Sequence, residues 1–316
     1  MKKITSVYLI LVLLSLCGCN INTENSDTRF VLDTVATITA KCDKKTVSGA
    51  FELCSNYEKM LSKTSSSGDV YRLNNSNESI SVSDETFEII SRSVYYSDMS
   101  GGKFDITVYP ISMLWDFKNQ VVPSKDEISE AIKNVDYQSI QLENGKVNLN
   151  GKKIDLGGIA KGFIADKIAE YLKEKGAKKG IVNLGGNVVV FGEKYKVGIQ
   201  NPFEEGVIAT LHLKDRSAVT SGIYQRFIEK DGEYYHHIID PDTGYGVDNE
   251  LASVTVIGDS SLDCDALSTV CMLSGLEKGL EIIEAIPETE AVFIEKDKKI
   301  TLSGGLYKKN SNIYLK

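Results

Sequence analysis

Positive charge is in deficit: 36 Lys and Arg stand against 44 Asp and Glu in 316 residues, a formal net charge of −8. An acidic surface repels phosphate backbones, and no basic stripe with interleaved aromatics interrupts it, so nonspecific nucleic-acid binding is excluded. The apolar run at the N-terminus, Val7 to Leu16, has ten residues, well short of the roughly 20 that span a bilayer. The cysteines show no CxxC or Cys/His zinc spacing. No long low-complexity linker divides the chain. What is there is ordinary globular material, 42% hydrophobic and 25% charged, enough to bury a full core as one large or two intimately packed units.

The N-terminus reads as a targeting segment. Lys2 and Lys3 precede the apolar run, which ends in Leu16-Cys17-Gly18-Cys19. An aliphatic residue three before a cysteine, with small neighbours, resembles a bacterial lipobox, so residues 1–18 are expected to be removed and Cys19 lipidated. Its acyl chains would anchor the protein to the bilayer, each buried CH₂ contributing about 0.8 kcal/mol. An ordinary cleaved signal or an uncleaved anchor is the alternative. Residues 19–28 are polar and read as a tether, leaving 29–316 as the folded domain. Cys42, Cys54, Cys264 and Cys271 read as small buried apolar residues, and spacing does not say whether any are bridged.

Phe30 to Ala40 alternates like a strand, and Val47 to Leu61 has apolar residues near helical spacing. Further helices are expected over 84–99, ending at Gly101-Gly102, between 120 and 140 after a proline, and over 160–175, stopped by Gly176. A hairpin turns at Asn144-Gly145. The second half is strand-rich to Val256, followed by a helix from 263, another from Gly275 to Ile286, and two closing strands. Strands come in hairpins rather than in βαβ alternation, which favours an α+β fold with mainly antiparallel sheets.

Three strings carry chemistry. Ile154-Asp-Leu-Gly-Gly-Ile-Ala-Lys-Gly162 leads from a strand through a glycine turn into a helix, whose first N–H groups and dipole suit a phosphate, with Lys161 adding charge. It is neither GxGxxG nor a Walker A, and alone it serves equally as a structural turn. Asp263-Cys-Asp-Ala-Leu-Ser-Thr269 puts Asp265 and Thr269 on one helical face with Ser268 beside them. These are hard oxygen ligands of the kind Mg²⁺ accepts; alternatively Asp263 or Asp265 is a helix cap. In Tyr234-Tyr-His-His-Ile-Ile-Asp-Pro-Asp-Thr-Gly244, a strand would turn His236 and His237 to opposite faces, so only one points into a given site, as a base or as an ordinary strand histidine.

Together the strings become specific. Phe-Val-Leu-Asp-Thr (30–34), GGKFDITVYPISMLWDF (101–117), IDLGGIAKGFIAD (154–166), VNLGGN (182–187), VGIQNP (197–202), TSGIYQRF (220–227), YHHIIDPDTGYG (235–246) and DALST (265–269) closely resemble, in order, the ApbE family. That resemblance implies a pair of intimately packed T-fold-like α+β units. It also implies a membrane-anchored, Mg²⁺-dependent enzyme that transfers FMN from FAD to a threonine of an acceptor protein and releases AMP. Position by position, Lys103, Phe104, Asp105, Asp155, Lys161 and Ile239 match flavin-nucleotide contacts. Gly158 (through its carbonyl), Asp265, Ser268 and Thr269 match the metal site, and His237 matches the base. Leu32 and Thr64 match positions flanking the flavin, where Leu32-Asp33-Thr34 replaces the common Met-Gly-Thr and Thr64 replaces a tyrosine. Gly244-Tyr245-Gly246 also departs from the usual Gly-Tyr-Pro. The implied acceptor is a membrane redox subunit with a Ser/Thr-Gly-Ala/Ser-Ser/Thr-x-Thr string; this chain has none, so self-modification is not expected. FAD hydrolysis, or flavin capture without catalysis, are the rival activities.

Overall fold

The computed structural model describes residues 23–316; the signal-like segment, Cys19 and the start of the expected tether lie outside the described residues. Along the chain run β1 (Glu24–Val31), β2 (Thr34–Lys41), α1 (Lys44–Met60), α2 (Asp69–Asn74), β3 (Ile80–Ser81), α3 (Asp84–Met99), α4 (Tyr109–Ser112) and α5 (Lys125–Ile132). Then come β4 (Gln141–Glu143), β5 (Lys146–Asn148), α6 (Ala160–Glu174), β6 (Gly180–Leu184), β7 (Asn187–Phe191), β8 (Tyr195–Gln200), β9 (Val207–Leu213) and β10 (Arg216–Gly222). The chain closes with β11 (Phe227–Lys230), β12 (Glu233–His236), β13 (Leu251–Gly258), α7 (Ser261–Glu284), β14 (Glu290–Glu295), β15 (Ile300–Leu302), β16 (Leu306–Lys309) and β17 (Asn312–Leu315).

The architecture is α+β. An eight-stranded sheet has the order β1-β2-β6-β7-β10-β13-β14-β15, and every neighbouring pair in it is antiparallel. A four-stranded sheet, β16-β17-β9-β8, contains the parallel pair β17–β9. Side chains alternate across a strand, and β7 shows how this builds two cores. Val189 and Phe191 pack with α1, α6 and α7 on one face, while Val188 and Val190 pack with Val197, Ile199, Leu211 and Ile313 of the smaller sheet on the other. The large sheet is therefore the middle of three layers, and β13, buried along its whole length, runs through its interior. A satellite core of Ile111, Trp115, Ile128, Ala131 and Ile228 underlies α4, α5 and the β11–β12 hairpin.

Several sequence readings are redrawn. Residues 24–28, read as tether, are the first part of β1, paired with β2 through contacts such as Thr28 with Thr37. The strand read over 30–40 is two strands, because Leu32 and Asp33 take φ of 54° and 55° and turn the chain back on itself. Four strands, not two, follow α7, and the last two join the smaller sheet. The break read before Gly275 is real: Gly275 has φ 78° and ψ 176°, which interrupts α7. The four cysteines in the described residues are free and buried. Among the described residues no helix is long and apolar enough to cross a membrane.

What positions the site is the meeting of α6 and α7. Asp166 of α6 accepts hydrogen bonds from the N–H groups of Ser261 (2.9 Å) and Leu262 (2.9 Å) and from Ser260 Oγ (3.0 Å), satisfying the open N-terminus of α7. In return, Asp265 of α7 accepts the Gly162 N–H of α6 at 2.8 Å. Glycine is required there, since a Cβ at residue 162 would lie 2.2 Å from the Ser261 carbonyl oxygen and 2.7 Å from Asp265 Cβ. Gly162→Ala is expected to cost about 1–3 kcal/mol or more, as for other overpacked contacts, read as a lower urea midpoint at unchanged m-value. An unchanged midpoint would show that the two helices are not held this closely.

Candidate active site

A cavity of about 1230 Å³ opens beside this junction, larger than the roughly 300–1,000 Å³ of an ordinary small-molecule pocket. Its walls include Leu32, Thr64, Lys103, Phe104, Asp105, Asp155, Gly158, Lys161, His237, Ile239, Asp265 and Thr269, all of them singled out from the sequence. Ser268 is not among them. It is fully buried behind the wall, where its hydroxyl bonds the Asp265 carbonyl (2.9 Å) and Ser221 Oγ (2.8 Å). Ser221, on β10, takes the place at the cavity, 3.4 Å from Thr269 Oγ1.

The floor is the glycine turn and the start of α6. Ile159, the residue before α6, offers no cap of its own; Asp265 accepts the Gly162 N–H of the first turn and the Leu156 carbonyl takes the Ile159 and Ala160 N–H groups, so the positive dipole end of α6 is already faced by one carboxylate. Gly158 sits close to Thr269, since a Cβ there would lie 3.6 Å from Thr269 Oγ1. Asp265 is 4% exposed. Burial raises its pKa, opposed by the Lys161 charge, the Gly162 N–H and the neighbouring Asn187 amide. Asn187 Nδ2 is itself buried without a well-formed hydrogen bond. Neither Asp263 nor Asp265 caps its own helix, since Ser260 caps α7 and Asp263 pairs with Arg92 at 2.5 Å, but Asp265 does take a first-turn N–H of α6, that of Gly162.

The cations in the cavity fall into two groups. Lys63 pairs with Asp155 at 2.6 Å, and Lys103 lies 3.1 Å from Asp240 and 2.7 Å from Asp242. Burial alone would raise Asp155, but Lys63, Ser112 and the Gly157 N–H outweigh it and hold its carboxyl below the usual range. Asp105 spends its oxygens on Thr107 and the Tyr137 N–H, so it shapes the wall more than it offers a free carboxylate. Lys161 and Arg226 form no ion pair among the described residues.

The two histidines separate as strand geometry requires. His236 is buried, with Nε2 2.9 Å from the Val247 carbonyl and Nδ1 accepting the Ile238 N–H at 3.3 Å. His237 lines the cavity, its Nδ1 3.3 Å from the Arg226 carbonyl oxygen. A carbonyl only accepts, so Nδ1 carries the proton and Nε2 keeps its lone pair. Burial, then the Lys161 charge, pull the His237 imidazole down to about 4.

The ApbE family profile matches residues 32–293. The chain belongs to the ApbE family. It is 34% identical to an FAD:protein FMN transferase of Klebsiella pneumoniae, covering 83% of this chain and 85% of that one. It is also 35% identical to an FAD:protein FMN transferase of Treponema pallidum, covering 70% and 68%. The fold superposes on the ApbE protein of Thermotoga maritima with a TM-score of 0.83, at 29% identity over 89% of this chain and 97% of that one. The apo flavinyl transferase ApbE of Pseudomonas stutzeri gives 0.78, at 26% identity over 89% and 95%.

Lys63, Ser112, Asn187, Ser221 and Arg226 were not singled out from the sequence. Ser112, Asn187, Ser221 and Arg226 sit inside ApbE strings already quoted, whereas Lys63 lies outside them, beside Thr64 and the serines 65–67, where nothing local announces a pairing 92 residues away. Because His237 is neutral down to about pH 4, any step that uses it as a base should lose kcat/KM on the acid side only below about pH 5. An acid limb near the ordinary histidine value of about 6.5 would show that His237 is not held neutral.

Proposed function

We propose that this ApbE-family chain is an FAD:protein FMN transferase that moves FMN from FAD onto a threonine hydroxyl of an extracytoplasmic acceptor protein and releases AMP. The observation that carries the reading is the placing of His237, its Nδ1 against the Arg226 carbonyl, in the same cavity as Lys161, Arg226, the buried Asp265 and the half-buried Thr269. FAD presents a pyrophosphate, which such a cavity suits. His237 Nε2 accepts the proton of the acceptor hydroxyl, and the oxygen attacks the FMN phosphorus. The bond from that phosphorus to the bridging oxygen breaks, and AMP departs with the bridging oxygen. Lys161 and the N-terminus of α6 hold the phosphate oxygens in line, because phosphoryl transfer asks mainly for alignment and charge neutralisation.

The residues fit a divalent cation. Asp265 is a buried carboxylate with the Gly162 N–H as its hydrogen-bond donor, Thr269 one helical turn on adds a hydroxyl, and the Gly158 backbone, close to Thr269, could add its carbonyl oxygen. No cluster of three or more His, Cys, Asp or Glu side chains suited to a metal occurs among the described residues. Such a Mg²⁺ would thus be completed by substrate oxygens. When bound, Mg²⁺ supplies charge stabilisation on the pyrophosphate. The lipobox-like string around Cys19 supports a lipid-anchored enzyme on the outer face of a bacterial membrane.

AMP release from FAD, with in-gel flavin fluorescence of extracytoplasmic proteins, tests this reading. His237→Ala is expected to slow transfer by about 10²–10⁴-fold, the usual contribution of a general base; a change within a few fold would remove the base assignment. Asp265→Asn, or excess EDTA with the native chain, is expected to abolish AMP release. Robust cleavage in EDTA would contradict the metal assignment, and AMP with free FMN but no labelled protein would make the enzyme a hydrolase.

A further inference from the structure

The cations that line the cavity are not equivalent. Lys63 and Lys103 are consumed by Asp155 and by Asp240 with Asp242. Lys161 belongs to the phosphate-binding turn already described. Arg226 remains, at the end of the loop from β10 to β11, on a different element from Lys161 near the start of α6.

Its backbone is pinned. The Arg226 carbonyl accepts the His237 N–H at 3.1 Å and lies 3.3 Å from His237 Nδ1. Upstream, the loop is tied by the Ile223 N–H to the Ala252 carbonyl (3.1 Å) and by Gln225 Nε2 to the Thr220 carbonyl (3.2 Å). The guanidinium, by contrast, makes no hydrogen bond or ion pair among the described residues, although it lines the cavity and its charge reaches His237. A fixed backbone carrying an exposed, unpaired planar cation, on the residue whose carbonyl meets His237 Nδ1, is arranged to meet an anion in this cavity.

We propose that Arg226 is a second phosphate-binding residue, whose guanidinium engages the phosphate of FAD that is attacked, across from Lys161. This rests on the transferase reading above and deepens it. Arginine suits the task because its planar fork meets two phosphate oxygens at once, which a lysine ammonium cannot do. The same residue thus acts twice: its carbonyl fixes the His237 tautomer, and its side chain holds the phosphorus to be attacked. Side-chain substitutions leave the carbonyl in place, so the two roles separate experimentally.

The test compares Arg226→Gln and Arg226→Lys with Lys230→Gln, an exposed lysine of the same hairpin outside the cavity lining. Binding of FAD and of riboflavin, which has no phosphate, is followed by flavin fluorescence, and AMP release gives kcat and KM. Arg226→Gln is expected to weaken FAD binding and lower kcat by roughly tenfold to a hundredfold together, the usual worth of a charge-assisted hydrogen bond. Riboflavin binding should change less than about twofold, Arg226→Lys should recover part of the loss, and Lys230→Gln should match wild type. Equal weakening of FAD and riboflavin, no change in either, or a loss confined to the KM for the protein acceptor would each overturn the assignment. If native enzyme binds FAD but releases no AMP, the transferase reading fails, while the FAD and riboflavin comparison still decides whether Arg226 binds phosphate.

Discussion

The site depends on a reciprocal brace between α6 and α7. Asp166 of one helix closes the open N-terminus of the other, and Asp265 of the second accepts a backbone N–H from the first. Gly162 sets the separation, because any side chain there would collide with the Ser261 carbonyl. Two segments about 100 residues apart, the glycine turn with Lys161 and the Asp265–Thr269 pair, are thereby fixed on one wall. Loosening the brace would move the glycine turn relative to the Asp265 carboxylate.

Charge in the cavity is partitioned rather than abundant. The chain is acidic overall, at −8, yet its proposed substrate is an anion. The conflict is local and is resolved locally. Lys63 and Lys103 are spent on fixing Asp155 and the Asp240-Pro241-Asp242 turn, which shapes the pocket without adding net attraction. Lys161 and Arg226, without an ion pair among the described residues, are the cations left for the proposed phosphate contacts. The same two cations lie close enough to His237 to help keep its imidazole neutral, burial being the larger cause. In the proposed reaction one arrangement thus serves both the substrate's charge and the protonation state of His237.

Much of this was legible in the sequence, and the rest was not for identifiable reasons. The antiparallel α+β class followed from hairpin spacing, and the separation of His236 from His237 followed from the two-residue period of a strand. The glycine turn, Asp265, Thr269 and His237 were named from motifs, and the fold brings them to one cavity. The Leu32–Asp33 turn was missed because neither residue is glycine, although both adopt left-handed φ. Ser268 was grouped with Thr269 by adjacency, but one helical step of about 100° sends it behind the wall to Ser221. Lys63 and Arg226 carry no local pattern that marks which cations are neutralised; only the tertiary pairing distinguishes them.

The proposed reaction holds FAD by its phosphates in one cavity and passes the FMN phosphorus to a protein hydroxyl. Its most direct measurement is intact-mass analysis of a purified acceptor domain after incubation with FAD and Mg²⁺, with AMP quantified in the same sample. One FMN gained on a threonine for each AMP released is the expected result. AMP formed in large excess over labelled acceptor, with the balance as free FMN, would contradict it.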